Sequence, residues 1–209
     1  MRRKHVIGLT GNIATGKSTV VAMLTDLGAE AIDGDTIVHE LMGPDSPIAD
    51  EIRDQFGPET VNLDGSINRP ALGAVVFSDP SKLRALEAIT WPPVLERKRA
   101  AIQQPGPDVL VLDAIKLFES GMAADCDEIW VVTAPREIQI ERIIRRNKVD
   151  RAEAERRIDA QPPQEEKVAR ADVVIDNGGT LDDTHDQVLA AWQRLTADDR
   201  KPARPGPSC

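Results

Sequence analysis

Cysteine is scarce in this sequence: there are two in 209 residues, Cys126 in mid-chain and Cys209 at the last position. That excludes a disulfide-stapled scaffold and a cysteine-built structural metal site, and it fits a reducing compartment. Histidine offers no metal site either. His5, His39 and His185 are scattered without ligand spacing, so all three read as non-catalytic, and Cys126 reads as a buried or idle thiol. No apolar run approaches the ~20 residues of a membrane span. Met1-Arg2-Arg3-Lys4 is basic in the manner of a signal peptide. The apolar run behind it breaks at Thr10-Gly11-Asn12 with no cleavage-type site, so it reads as the lead-in to a first strand. Excess positive charge is also missing: 26 Lys+Arg against 35 Asp+Glu leave a net charge of −9. This argues against a general nucleic-acid binder, which needs basic surface to displace counterions. A phosphorylated ligand is still allowed, since it needs only a local cluster of cations and backbone N–H groups. There is no internal repeat. The expectation is a cytoplasmic chain with no membrane and no nucleic acid among its partners.

What is present is a 41% hydrophobic, 29% charged composition, long enough to bury a core without staples. Val6–Thr10 reads as a short buried strand and Ala29–Ile32 as a second strand, and continuous apolar runs with prominent β-branched residues follow at Val109–Asp113, Ile129–Val132 and Val173–Ile175, as strands buried on both faces require. Helical spacing lies between them: about Lys17 to Leu27, Pro135–Asn147, Asp150–Ala160 and about Leu181 to Leu195. In the last of these, Leu181, Val188, Leu189, Trp192 and Leu195 are expected inside. From Thr36 to about Pro107 short helical stretches are separated by Pro44, Pro47, Gly57-Pro58, Asp64-Gly65 and Pro92-Pro93. Strand and helix alternation implies a parallel α/β sheet with right-handed crossovers. Residues 1–35, 108–135 and 169–195 read as a core, 36–107 as a helical insertion, 136–168 as a further helical segment, and 196–209, rich in proline and charge, as a disordered tail.

One motif carries chemistry. Gly11-Asn12-Ile13-Ala14-Thr15-Gly16-Lys17-Ser18 fits Gly-x4-Gly-Lys-Ser/Thr between an apolar strand and an amphipathic helix. The glycines let successive N–H groups turn inward around phosphate oxygens, and the helix starting near Lys17 adds its positive dipole end. Lys17 supplies a charge for the outer phosphates and Ser18 a hydroxyl for Mg²⁺. Such a loop alone does not separate a kinase from a GTPase switch or a motor.

Three further features bear on that choice, each with a plainer alternative. Asp33 and Asp35 close the second strand, where open α/β sheets bind ligands; a carboxylate there can take a proton from an attacking hydroxyl, or sit in an ordinary Asp-Gly turn. Asp113 closes the third strand, as a Mg²⁺-associated carboxylate or a helix cap. Arg142, Arg145 and Arg146 share a helix face and can clamp a transferring phosphoryl group, or form a solvated face with Glu137 and Glu141.

Taken together the residues resemble dephospho-coenzyme A kinase, a nucleoside-monophosphate-kinase-like P-loop family, over about residues 5–193. The resemblance rests on Ile7-Gly8-Leu9-Thr10-Gly11 leading into Gly16-Lys17-Ser18-Thr19, Ile32-Asp33-Gly34-Asp35, Asp64-Gly65-Ser66-Ile67-Asn68-Arg69 with Val76-Phe77, Leu117-Phe118-Glu119-Ser120-Gly121, Arg145-Arg146-Asn147, Arg157-Ile158-Asp159-Ala160-Gln161 and Val174-Ile175-Asp176-Asn177-Gly178. It implies an α/β, three-layer P-loop NTPase fold with a five-stranded parallel sheet, a helical coenzyme-binding insertion and a helical lid. It implies ATP and Mg²⁺, with phosphates on Gly11–Thr19, Asp35 as general base, and Asp33 and Ser18 toward the metal. Arg69 matches the insertion's usual arginine. Arg142 and Arg146 would reach the phosphates from the lid, and Asp176-Asn177-Gly178 would approach the adenine. The acceptor would be the ribose 3′-hydroxyl of dephospho-coenzyme A, and the enzyme a monomer or weak homo-oligomer. Departures from the family pattern are Trp91 for a usual histidine, Lys116 as an extra cation that can contact substrate phosphate or pair with a carboxylate, and Asn12 and Ala14 where glycines are usual. Two alternatives stay open: a kinase for another small alcohol or nucleoside monophosphate, and a nucleotide-dependent binding module.

Overall fold

A computed structural model describes residues 3–197. Its strands are β1 (His5–Thr10), β2 (Glu30–Asp33), β3 (Val109–Asp113), β4 (Glu128–Thr133) and β5 (Val173–Asp176), in the sheet order β2-β3-β1-β4-β5. β1 pairs in parallel with β3 (Gly8 opposite Leu112) and with β4 (Thr10 opposite Val131), and β4 pairs in parallel with β5. The central strands are buried nearly throughout, while β2 and β5 at the edges alternate with exposed positions. The central strands thus have the burial that continuous apolar runs require, whereas β5, expected to be buried on both faces, does not: Val174 is 44% exposed, because an edge strand is flanked on one side only. β2, at the other edge, alternates with exposed residues in the same way.

The chain forms two compact units, one up to Ile32 and from Pro105 onward, the other Asp33–Gln104. In the first, α1 (Lys17–Asp26) and α9 (Leu181–Ala197) pack on the sheet through Val20, Leu24, Val188, Ala191 and Leu195. α1 has no side-chain cap at its start, where Gly16 stands. A cap is worth about 1 kcal/mol, whereas each fully buried Val or Leu contributes about 1.5–3 kcal/mol, so Val20 and Leu24 hold the helix and leave its first N–H groups available. Leu181, expected inside, is 62% exposed; the inner stripe of α9 starts instead at Thr184, which is fully buried. Thr196 and Ala197 still belong to α9, and the rest of the expected tail lies outside the described residues. After β4 come α6 (Arg136–Asn147), α7 (Arg151–Asp159) and a short α8 (Gln164–Val168). α6 and α7 pack through Ile140, Ile143, Ala154 and Ile158. The Asp150 side chain caps α7 by accepting from the Glu153 N–H at 2.8 Å, as the Asp-x-x-Glu spacing suggests.

The second unit holds α2 (Gly34–Leu41), α3 (Ala49–Phe56), α4 (Arg69–Val76) and α5 (Pro80–Gln103). Asn68 and Asp79 cap α4 and α5, accepting from Ala71 N–H and Ser81 N–H. The expected break at Pro92-Pro93 is absent: α5 runs straight through. Those prolines cannot donate to the carbonyls of Ala88 and Ile89, a cost of about 3 kcal/mol for an interior proline. Against it stands a stripe of buried residues every fourth position, Thr90, Val94, Lys98 and Ile102. The Thr90 hydroxyl also donates to the Leu86 carbonyl at 2.9 Å, within the turn just before the prolines.

Candidate nucleotide and phosphoryl-transfer site

The segment between β1 and α1 is shaped by close approach and by two left-handed residues. A Cβ on Gly11 would lie 2.5 Å from the Val132 carbonyl oxygen, so the loop leaves β1 flush against β4. Gly16 has φ +93°, and a Cβ there would run into the Asn177 amide. Ala14 also takes positive φ (59°), a conformation that costs a non-glycine residue about 1–2 kcal/mol. Bonds on every side hold it: Thr15 Oγ donates to Asn12 O at 3.0 Å, Asn12 Nδ2 donates to Pro162 O at 2.9 Å, and Ile13 N–H donates to Gln161 Oε1 at 2.7 Å.

This loop borders a cleft of about 730 Å³, within the range of small-molecule sites. Asn12, Ile13, Ala14, Gly16, Lys17, Ser18 and Thr19 face it from one side, and Arg142, Arg145, Arg146, Asn177, Gly179 and Leu181 from the other. Four cations (Lys17 and the three arginines) meet one carboxylate, Asp113, among the lining residues. A chain of net charge −9 thus builds a locally positive cleft. No acidic residue occupies the first turn of α1, so nothing there offsets its positive end.

The cations do different work. Lys17 Nζ is ion-paired with the Asp113 carboxylate. Arg142 spends its donors on main chain: Nη1 on the carbonyls of Ala14 (3.2 Å) and Thr15 (3.1 Å), Nη2 on that of Asn177 (2.8 Å). It braces the loop. Arg146, exposed, bonds Asn147 through Nε at 3.2 Å and lines the cleft. Behind the wall, Lys167 is only 4% exposed and donates to the Ile115 carbonyl at 3.1 Å. Burial holds its ammonium below the usual lysine range, Glu119 pulls it back up, and Lys17 pushes it further down.

The structure therefore brings Asn12, Ile13, Ala14, Gly16, Lys17, Ser18, Thr19, Arg142, Arg146 and Asn177 around one cleft. Gly11 and Thr15 are its buried frame. Asp176 and Gly178 do not line it. Asp176 Oδ1 accepts from the Gly178 N–H at 2.9 Å and closes the turn that presents Asn177 and Gly179. Lys116 is exposed and outside the cleft wall, although its neighbour Ile115 belongs to it. In the other unit, Asp33 ends β2 and accepts from the Thr36 hydroxyl at 3.2 Å, Asp35 is the second residue of α2, and Arg69 Nη1 lies 3.0 Å from His39 Nδ1. Sequence reasoning passed over Thr184, Gln161 as a partner of the loop, and the cleft-lining roles of Ile115, Gly179 and Leu181. Of these, Gln161 ends the Arg157–Gln161 segment, Gly179 follows Asp176-Asn177-Gly178, and Ile115 precedes Lys116, so each lay at or near a segment that carried the resemblance.

A phosphate loop at the carboxyl end of the middle strand of this sheet, faced by helix-borne arginines, defines the class: a P-loop kinase fold. Solved structures agree. A dephospho-CoA kinase from Campylobacter jejuni superposes with a TM-score of 0.69 at 26% identity, covering 93% of this chain and 98% of that one. A shikimate kinase from Acinetobacter baumannii shares the fold with a TM-score of 0.55 at 16% identity, over 95% of this chain and 96% of that one. The family model for dephospho-CoA kinase matches residues 5–183. A curated dephospho-CoA kinase of Symbiobacterium thermophilum is 49% identical over 192 residues, 90% of this chain and 80% of that protein. The chain belongs to the dephospho-CoA kinase family. Among the described residues no helix is long and apolar enough to cross a membrane.

Proposed function

We propose that the protein transfers the γ-phosphate of ATP to the ribose 3′-hydroxyl of dephospho-coenzyme A, giving coenzyme A and ADP. The observation that carries this reading is the cation-lined cleft on the phosphate loop in a chain of this family. The loop's N–H groups and Lys17 would hold the phosphates, and Arg146, which lines the cleft, would meet the charge on the transferring group. Arg142 acts through the loop it braces. Asp35 would take the 3′-hydroxyl proton as the oxygen bonds to the γ-phosphorus and the bridging P–O bond breaks, the leaving charge staying with ADP on the loop and Lys17. Asp33 would support Asp35, while Arg69 and Lys116 would attract the acceptor's phosphates.

Mg²⁺ typically takes one or two protein oxygens plus phosphates and water. The Ser18 hydroxyl and the Asp113 carboxylate are such donors in the cleft, and Asp33 is the further carboxylate the family pattern suggests. When bound, the ion neutralises phosphate charge. The same reading has the enzyme acting in the cytoplasm on small molecules, as a monomer or weak homo-oligomer. Purified protein incubated with Mg·ATP and dephospho-coenzyme A should yield coenzyme A, seen by mass spectrometry as a gain of one phosphate. If no coenzyme A forms and a different alcohol or nucleoside monophosphate is phosphorylated in a parallel screen, the acceptor assignment is wrong.

A further inference from the structure

Asn177 was expected to approach the base of the nucleotide, yet both polar atoms of its side chain are bonded to protein partners. It is 5% exposed. Its Nδ2 donates to the Thr15 carbonyl at 2.8 Å, its backbone N–H donates to Thr133 O at 2.8 Å, and its carbonyl accepts from Arg142. The remaining atom, Oδ1, accepts from the hydroxyl of Thr184, which is fully buried in α9, at 2.9 Å. That bond fixes the amide. Thr15 O can only accept, so Nδ2 must face the loop, and Oδ1 must then find a donor away from it. The Thr184 hydroxyl also lies 3.2 Å from Thr180 O, a longer and weaker alternative for its one proton. The same Nδ2 occupies the space a Cβ on Gly16 would need. Thr184, Asn177 and the loop at Thr15-Gly16 therefore form a continuous relay from the second turn of α9 to the phosphate-binding backbone.

We propose that Thr184 is a positioning residue for donor binding: through Asn177 it sets the curvature of the phosphate loop, and Asn177 serves as a brace for phosphates rather than a reader of the base. The inference rests on the reading of the cleft as the ATP site. Without its donor the Asn177 oxygen is left unsatisfied in a buried place, and the amide is free to turn away from Thr15. Losing one such bond corresponds to about a fivefold to tenfold weakening.

The test compares wild type, Thr184→Val, which keeps the shape, and Thr184→Ser, which keeps the hydroxyl. Thr184→Val should raise KM for ATP about fivefold to tenfold while kcat stays within about twofold, with Thr184→Ser close to wild type. Calorimetric binding of Mg·tripolyphosphate, which has no base, should weaken in Thr184→Val as much as binding of Mg·ATP. Equal effects of valine and serine, an unchanged KM in Thr184→Val, or weakened ATP binding with unchanged tripolyphosphate binding would each overturn the proposal. Failure of the wild-type protein to bind Mg·ATP at all would instead overturn the reading of the cleft beneath it.

Discussion

Lys17→Ala is expected to remove transfer, lowering kcat/KM by about 10³-fold, the scale seen when a preorganised donor to a developing charge is lost. Lys17 is the first residue of α1, and its ammonium is held at the cleft by Asp113. A point charge there meets the outer phosphates and follows the charge that builds on the leaving oxygen. The fold should survive, because α1 is anchored by Val20 and Leu24, both fully buried, and not by Lys17. A melting temperature near that of wild type would confirm this. Lys17→Arg should restore little, since a planar fork replaces a compact ammonium in a loop shaped to the smaller group. Substantial coenzyme A formation by folded Lys17→Ala would break the phosphate-loop reading at its root.

Asp35→Ala is expected to lower turnover by about 10²–10⁴-fold, the usual contribution of a general base, with ATP affinity little changed. The chain passes from β2 into α2 without a connecting loop, so Asp33 and Asp35 fall on the last strand residue and the second helical residue. Comparison with Asp33→Ala separates the two acids. If Asp35→Ala turns over like wild type while Asp33→Ala does not, the base is Asp33. Pre-steady-state measurement of the chemical step in both variants decides the matter even where product release limits kcat.

The parts of this fold that could be read from the chain are those set by short-range rules. The apolar runs of β1, β3 and β4 announce strands buried on both faces, the Gly11–Ser18 pattern fixes both a loop and the helix after it, and Asp150 with Glu153 marks the start of α7. The misreadings share a cause. Pro92-Pro93 carries a strong local signal for a break, but burial of Thr90, Val94, Lys98 and Ile102 along one stripe outweighs it. Leu181 is apolar at helical spacing and yet borders the cleft, because the inner stripe of α9 begins with Thr184.

At the site, composition and spacing identify the residues that carry charge but not how their donors are spent. Arg142 and Arg146 look equivalent on a helical wheel. Only the fold shows that Arg142 gives three hydrogen bonds to the carbonyls of Ala14, Thr15 and Asn177. Contacts separated by more than a hundred residues, such as Ile13 with Gln161, leave no periodic trace in the chain.

Cys126 sits against the strand that feeds the phosphate loop: a methyl group on Gly8 would come within 2.6 Å of its sulfur, and the residue is 6% exposed. Its thiol is thereby a built-in clock for opening of the sheet. Burial shields the sulfur, so an alkylating reagent reaches it chiefly when the packing around it opens, and the modification rate at this one atom reports such openings. Mg·ATP, which binds the closed form, should slow that clock by a factor that keeps growing with its concentration beyond saturation, as mass action requires.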